Sequence, residues 1–320
     1  MHGHGGDWGV AMAADRASLL RWLMPDSVPE PISGPDGRLA PPVPIGRRMR
    51  LAGRGTTFVR EVPGPPGAPT LVLLHGWMAS GGLNWFRAFE ALGRDFRVLA
   101  PDLRGHARGL RSRRHFRLAD CADDLAALLG ALDVGPAVVV GYSMGGPVAE
   151  LLWRRHRERV SGLVLCATAP RVPLESGAEW LADVVLGALT RAARVAGHFT
   201  RVPAAGARVL RSARASRPAD FVEWALAELR RHDLRMLLEA ARAMSAYDAT
   251  SWIHELDVPT AVLVTRRDRT VAPRAQLELA EAVSGSSVHD VDGGHAVCAR
   301  ERFVPPLLEA CHSVAARVSA

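Results

Sequence analysis

The stretch V-V-V-G-Y-S-M-G-G, Val138 to Gly146, restricts the fold more than any other part of the chain. Three β-branched residues read as a buried strand. A glycine ends the run abruptly, a serine follows two places on, and two further glycines come after it. Gly141-Tyr142-Ser143-Met144-Gly145 fits G-x-S-x-G. That pattern calls for a sharp strand-to-helix turn in which the serine backbone is strained and its Oγ is pushed into the open. Such a turn brings backbone segments together, so the positions two before and two after the serine must be small. The helix beyond it offers N–H groups without intrahelical partners and a positive dipole end, where an oxyanion is stabilised. Pro147 near the start of that helix costs little.

The rest of the chain supplies the setting this turn needs. Arg48–Leu51 and Thr57–Val62 read as paired strands, and L-V-L-L-H-G (71–76) as a short buried strand. Trp85–Leu92 reads as one helix, F-R-V-L-A-P-D (96–102) as a strand and Ala119–Leu132 as a helix. A-V-V-V-G, Pro147–Arg157 and V-S-G-L-V-L-C-A-T (160–168) continue as strand, helix and strand. The alternation resumes with V-P-T-A-V-L-V-T (258–265), a helix at Arg274–Val283, the strand S-V-H-D-V (287–291) and a closing helix at Val304–Val318. Strands alternating with helices imply βαβ units, a mostly parallel sheet and helices on both of its faces. Between these two runs, residues 171–250 carry helical periodicity and many apolar side chains, and read as an inserted helical cap. Residues 1–45 are proline-rich and form an N-terminal extension. The expected domains are therefore the extension 1–45, an α/β core of 46–170 and 251–320, and the cap 171–250.

A serine hydroxyl is a weak nucleophile that needs a base, and the base needs an orienting carboxylate. In a parallel sheet such groups belong at C-terminal strand ends, where loops converge. Asp268 lies just past one late strand and His295 just past the next. Asp257 precedes its strand, and Asp290 and Asp292 sit close to His295 in the chain, so none of these is preferred. The order Ser143, Asp268, His295 is that of an α/β-hydrolase triad.

The chain resembles the α/β-hydrolase fold family of serine hydrolases, esterase- and lipase-like, from about residue 46 to the C-terminus. The motifs that carry the resemblance are H-G-W (75–77), D-L-R-G-H (102–106), G-Y-S-M-G-G (141–146), V-P-T…D-R-T-V (258–271) and G-G-H (293–295). The resemblance implies an oxyanion hole made by the backbone N–H groups of Trp77 and Met144. It also implies that Asp102–His106 is a structural loop, which makes His106 structural rather than catalytic. Two positions depart from the family pattern. Thr265-Arg266-Arg267-Asp268 lacks the usual glycine before the aspartate, and Ala107 stands where glycine is common.

The chemistry expected is two-step acyl transfer on a small-molecule carboxylic ester, without a cofactor or metal. The same triad also serves acyl thioesters, C–C cleavage of activated ketones and perhydrolysis, and the fold also hosts non-catalytic ligand-binding proteins. A serine nucleophile argues against the dehalogenase and epoxide-hydrolase branches of this fold, which use aspartate. Trp77, Met78, Tyr142 and Met144, beside the serine, are the expected substrate contacts and favour a hydrophobic acyl group.

Charge and cysteine usage narrow the setting. The formal net charge is +7, and every basic side chain among the 40 Lys+Arg is arginine. These arginines are scattered and read as a solvated surface, with the densest cluster, Arg104 to Arg117, in a loop. No aromatic-interleaved basic patch points to nucleic acid. Cys121, Cys166, Cys298 and Cys311 have no C-x-x-C spacing, which argues against a zinc or redox motif and for reduced thiols in the cytoplasm. No apolar run approaches the roughly 20 residues of a membrane span, and the N-terminus lacks the order of a secretory signal. Self-association is left open.

Overall fold

The computed structural model describes residue 41, residues 43–171 and residues 219–319, with backbone alone for residues 219–223. Nearly all of the extension 1–45, and residues 172–218 of the expected cap, lie outside the described residues.

Among the described residues, eight strands form one sheet. In chain order they are β1 (Gly46–Leu51), β2 (Gly55–Val62), β3 (Thr70–Leu74), β4 (Arg97–Pro101), β5 (Ala137–Tyr142), β6 (Val160–Cys166), β7 (Thr260–Thr265) and β8 (Ser287–Val291). Their spatial order is β1-β2-β4-β3-β5-β6-β7-β8. β1 and β2 pair antiparallel, as do β2 and β4, and every later pairing is parallel. Residues along β3 and β5 alternate between two separate cores. Val72, Leu74 and Val139 face one, while Leu71, Leu73, Val138 and Val140 face the other. Both faces are covered, which is why these strands read as continuous apolar runs rather than as an alternation. The helices α3 (Leu118–Ala131), α4 (Gly145–Arg155) and α7 (Pro273–Ala282) close the first core. The second is closed by α1 (Gly81–Trp85), α2 (Phe89–Leu92) and α8 (Val304–Val318).

The expected single helix over 85–92 is instead two short ones, α1 and α2. Ser80 caps α1 by accepting from Leu83 N–H at 3.0 Å, so the chain turns helical earlier than its apolar pattern suggests. Within the block expected to be a cap, α5 (Ala219–Leu229) and α6 (Leu234–Ser245) are helical. The block leaves and rejoins the core at one place. Arg171 and Asp248 form an isolated antiparallel bridge, and Ala249 N–H donates to Pro170 O at 2.8 Å.

The arginines are less uniformly solvated than their scatter implies. Arg60, Arg104 and Arg235 are buried. Arg104 makes a two-pronged pair with Asp124, with Nε to Oδ2 and Nη2 to Oδ1 both at 2.7 Å, and Arg54 binds the same carboxylate. This cluster ties the loop after β4 to α3. Removing one partner of a buried pair leaves an uncompensated charge, so Asp124→Ala is expected to cost about 3–5 kcal/mol. A lower urea midpoint at unchanged slope checks this.

Candidate active site

The turn between β5 and α4 is as tight as the glycines require. Ser143 has φ +52°, in the left-handed region that L side chains rarely adopt. A Cβ on Gly141 would lie 2.5 Å from Gly145 O, and one on Gly145 would lie 2.4 Å from Leu74 O. Both contacts are with backbone, which has little room to give. The turn is pinned from the neighbouring strand, with Ser143 N–H donating to Cys166 O at 2.9 Å.

Ser143 Oγ lies 2.9 Å from His295 Nε2, and His295 Nδ1 lies 2.8 Å from Asp268 Oδ2. Three residues spread over half the chain thus form one continuous hydrogen-bonded line. His295 follows β8, and its loop is held by Tyr142, whose Oη donates to His295 O at 2.8 Å. Asp268 follows β7 and its side chain is fully buried. Burial pushes its carboxyl up, but His295, the Val271 N–H and the Thr265 hydroxyl outweigh that, and the net displacement is below the usual carboxylate range.

The missing glycine before Asp268 has a structural account. Arg266 N–H donates to Val291 O and Arg267 N–H to Gly293 O, both at 3.0 Å, so the chain continues pairing alongside the segment that leads to His295. No residue from 265 to 271 needs a positive φ. Asp290 and Asp292 pair instead with Arg266 and Arg267, and Asp257 accepts from Trp153 Nε1 and Arg157. At the second departure Ala107 does adopt the conformation glycine favours, with φ +38°. Its N–H donates to His232 Nδ1 at 2.8 Å, which ties this turn to the segment between α5 and α6.

The H-G-W turn runs beside the serine, since a Cβ on Gly76 would lie 3.4 Å from Ser143 Cβ. Gly76 N–H is taken by Asn84 Oδ1 at 3.0 Å. Trp77 is half-buried and its Nε1 donates to Leu237 O on α6 at 2.9 Å. Met78 is half-buried with φ +57°. Met144 directly precedes α4, where N–H groups have no intrahelical acceptor.

Two expected substrate contacts need correction. Tyr142 is a buried strand residue, packed edge-on against Trp85 and Phe303, with its hydroxyl committed to the His295 loop. The Met144 side chain is buried in the core shared with α4. Both adjoin Ser143 in sequence, but the turn sends their side chains inward. His106 is structural in its contacts. Its Nδ1 meets Arg104 O at 2.9 Å and its ring lies between His75 and His232. Asp102 in the same loop accepts from Gly81 N–H at 2.9 Å and Arg108 N–H at 3.0 Å. Two residues without a sequence motif stand behind Asp268: Thr265, which donates to its Oδ2, and Gln276, which bonds Thr265 and Val271. Only the position of Thr265 at a strand end hinted at a role.

Residues 69–301 match the family described as alpha/beta hydrolase fold. A pimeloyl-[acyl-carrier protein] methyl ester esterase of Stenotrophomonas maltophilia is 30% identical over 232 residues, covering 71% of this chain and 86% of that one. The Chromobacterium violaceum protein of the same name is 41% identical over 103 residues, covering 32% of this chain and 38% of that one. Several curated relatives are matched over less than half of their length. A solved structure of a thermophilic esterase from Thermogutta terrifontis aligns with TM-score 0.64 at 26% identity, over 84% of this chain and 99% of that one. The chain belongs to the α/β hydrolase fold family. It is an α/β hydrolase with esterase-like relatives, and among the described residues no helix is long and apolar enough to cross a membrane.

Proposed function

We propose that the protein is a serine hydrolase that cleaves a small or hydrophobic carboxylic ester through an acyl-enzyme. One observation carries the reading, the unbroken line from Ser143 Oγ through His295 to the Asp268 carboxylate. His295 Nε2 takes the Ser143 proton as Oγ attacks the ester carbonyl, and the new C–O bond pushes the carbonyl electrons onto oxygen. The Trp77 and Met144 N–H groups receive that oxyanion. As the tetrahedral centre collapses, His295 gives its proton to the departing alkoxide. Water then attacks the acyl-enzyme with His295 again as base, releasing the acid and restoring Ser143. Asp268 holds the imidazole in the tautomer that leaves Nε2 free to accept and stabilises its charged form.

Trp77 and Met78, on the loop after β3, line the approach to Ser143 in this reading. Residues 171–250 act as a cap, supported by the packing of α5 and α6 on the loops after β3 and β4. The esterase names of the relatives support an ester over other acyl substrates. The cysteines are free, which accords with a cytoplasmic enzyme.

A serine-reactive phosphonate and a series of p-nitrophenyl esters test the proposal. The expected result is one adduct, on Ser143, and loss of ester cleavage in proportion to labelling. A folded protein that remains unlabelled and cleaves no ester overturns it.

A further inference from the structure

The triad carboxylate is held by a second layer whose hydrogen-bond directions can be deduced atom by atom. Gln276, on α7, is fully buried and makes three hydrogen bonds: with Thr265 N–H (3.0 Å), Thr265 Oγ1 (2.7 Å) and Val271 O (2.8 Å). A backbone N–H only donates and a backbone carbonyl only accepts. The amide oxygen must therefore face Thr265 N–H and the amide nitrogen must face Val271 O. The same nitrogen then donates into Thr265 Oγ1. With a donor already arriving, the hydroxyl proton is left for the other neighbour, Asp268 Oδ2, at 2.8 Å.

The consequences converge on Asp268. Its Oδ1 accepts from Thr270 N–H at 2.8 Å and Val271 N–H at 3.0 Å, while Oδ2 accepts from Thr265 Oγ1 and His295 Nδ1. Two donors on each oxygen use the lone-pair capacity of the carboxylate and leave it one orientation. Gln276 also clamps both ends of the loop that carries Asp268, at the end of β7 and at Val271.

We infer that Thr265 and Gln276 are positioning residues that aim the Asp268 carboxylate at His295, an inference that rests on reading Ser143, His295 and Asp268 as a triad. They touch no reacting atom. They act by fixing which way a proton points, and through Asp268 they fix the imidazole.

Thr265→Val removes the hydroxyl at nearly constant shape, and Thr265→Ser restores it. With p-nitrophenyl butyrate, Thr265→Val is expected to lower kcat by about tenfold to a hundredfold with KM within about twofold, a loss confined to the transition state. Thr265→Ser is expected to stay within about threefold of wild type, as one retained hydrogen bond predicts. Phosphonate labelling of Ser143 should slow in Thr265→Val by the same factor as kcat, because both need the serine activated. Gln276→Leu, with Thr265 intact, is expected to slow labelling as well, and it decides the matter if Thr265→Val does not fold. A folded Thr265→Val or Gln276→Leu that labels as fast as wild type overturns the inference alone. So does a Thr265→Ser as impaired as Thr265→Val. A wild-type protein that labels on Ser143 but cleaves no ester removes the ester substrate and leaves the labelling rates to decide. A wild type that does not label overturns the triad reading and this inference together.

Discussion

His295→Ala is expected to lower kcat for ester cleavage by about a millionfold, with the thermal midpoint little changed. In the proposed triad the imidazole takes the Ser143 proton, through the 2.9 Å contact at Nε2. Without it Oγ must lose its proton to water while it attacks, and the leaving alkoxide finds no acid. The fold survives because the Asp268 carboxylate keeps its donors from Thr265, Thr270 and Val271, and His295 O still receives the Tyr142 hydroxyl. The more telling variant is the double one. In the proposed triad, nucleophile and base act as a unit, so Ser143→Ala with His295→Ala should retain the same residual rate as either alone, from the proposed oxyanion N–H groups and binding. Single-turnover kinetics with p-nitrophenyl butyrate on all three proteins checks this. A double variant that loses the product of the two single effects would mean that the two side chains act independently.

The parts of the site that could be read from the sequence are those whose chemistry is local. Gly141, Ser143 and Gly145 lie within five residues, and steric closeness dictates their identity, so the turn announces itself. His295 and Asp268 could be placed because strand ends in a parallel sheet point to one edge, and chain order did the rest. What could not be read depends on contacts made across the fold. Gln276 stands on a helix among residues of ordinary helical pattern, and nothing in its neighbourhood tells that its amide returns to the end of β7. Tyr142 and Met144 depart from expectation for the opposite reason. Adjacency to Ser143 suggested the pocket, but a left-handed serine sends its neighbours' side chains into the core. The absent glycine before Asp268 looked like an anomaly in the family pattern and is not one, because Arg266 and Arg267 extend the pairing with the β8 side instead of turning.

Asp268→Asn should lower kcat by about ten-thousandfold although it changes a single atom, because the wrong tautomer of His295 would then be favoured. Which way the new amide faces follows from its neighbours. Thr270 and Val271 present backbone N–H groups to Oδ1, and neither can reverse its role. An amide nitrogen placed there would set donors against donors in a buried site, at about 1–3 kcal/mol for each group left unpaired. The amide oxygen therefore stays at Oδ1 and the nitrogen takes the Oδ2 position, facing Thr265 Oγ1 and His295 Nδ1. Thr265 can rotate its proton away. His295 must accept at Nδ1, and an imidazole that accepts at Nδ1 carries its proton on Nε2, aimed at Ser143. The base then arrives already protonated. Substrate binding does not involve this pair, so KM should hold while kcat falls, and labelling of Ser143 by phosphonate should slow in parallel. If Asp268→Asn stays within tenfold of wild type, Asp268 does not orient the imidazole, however short its hydrogen bond.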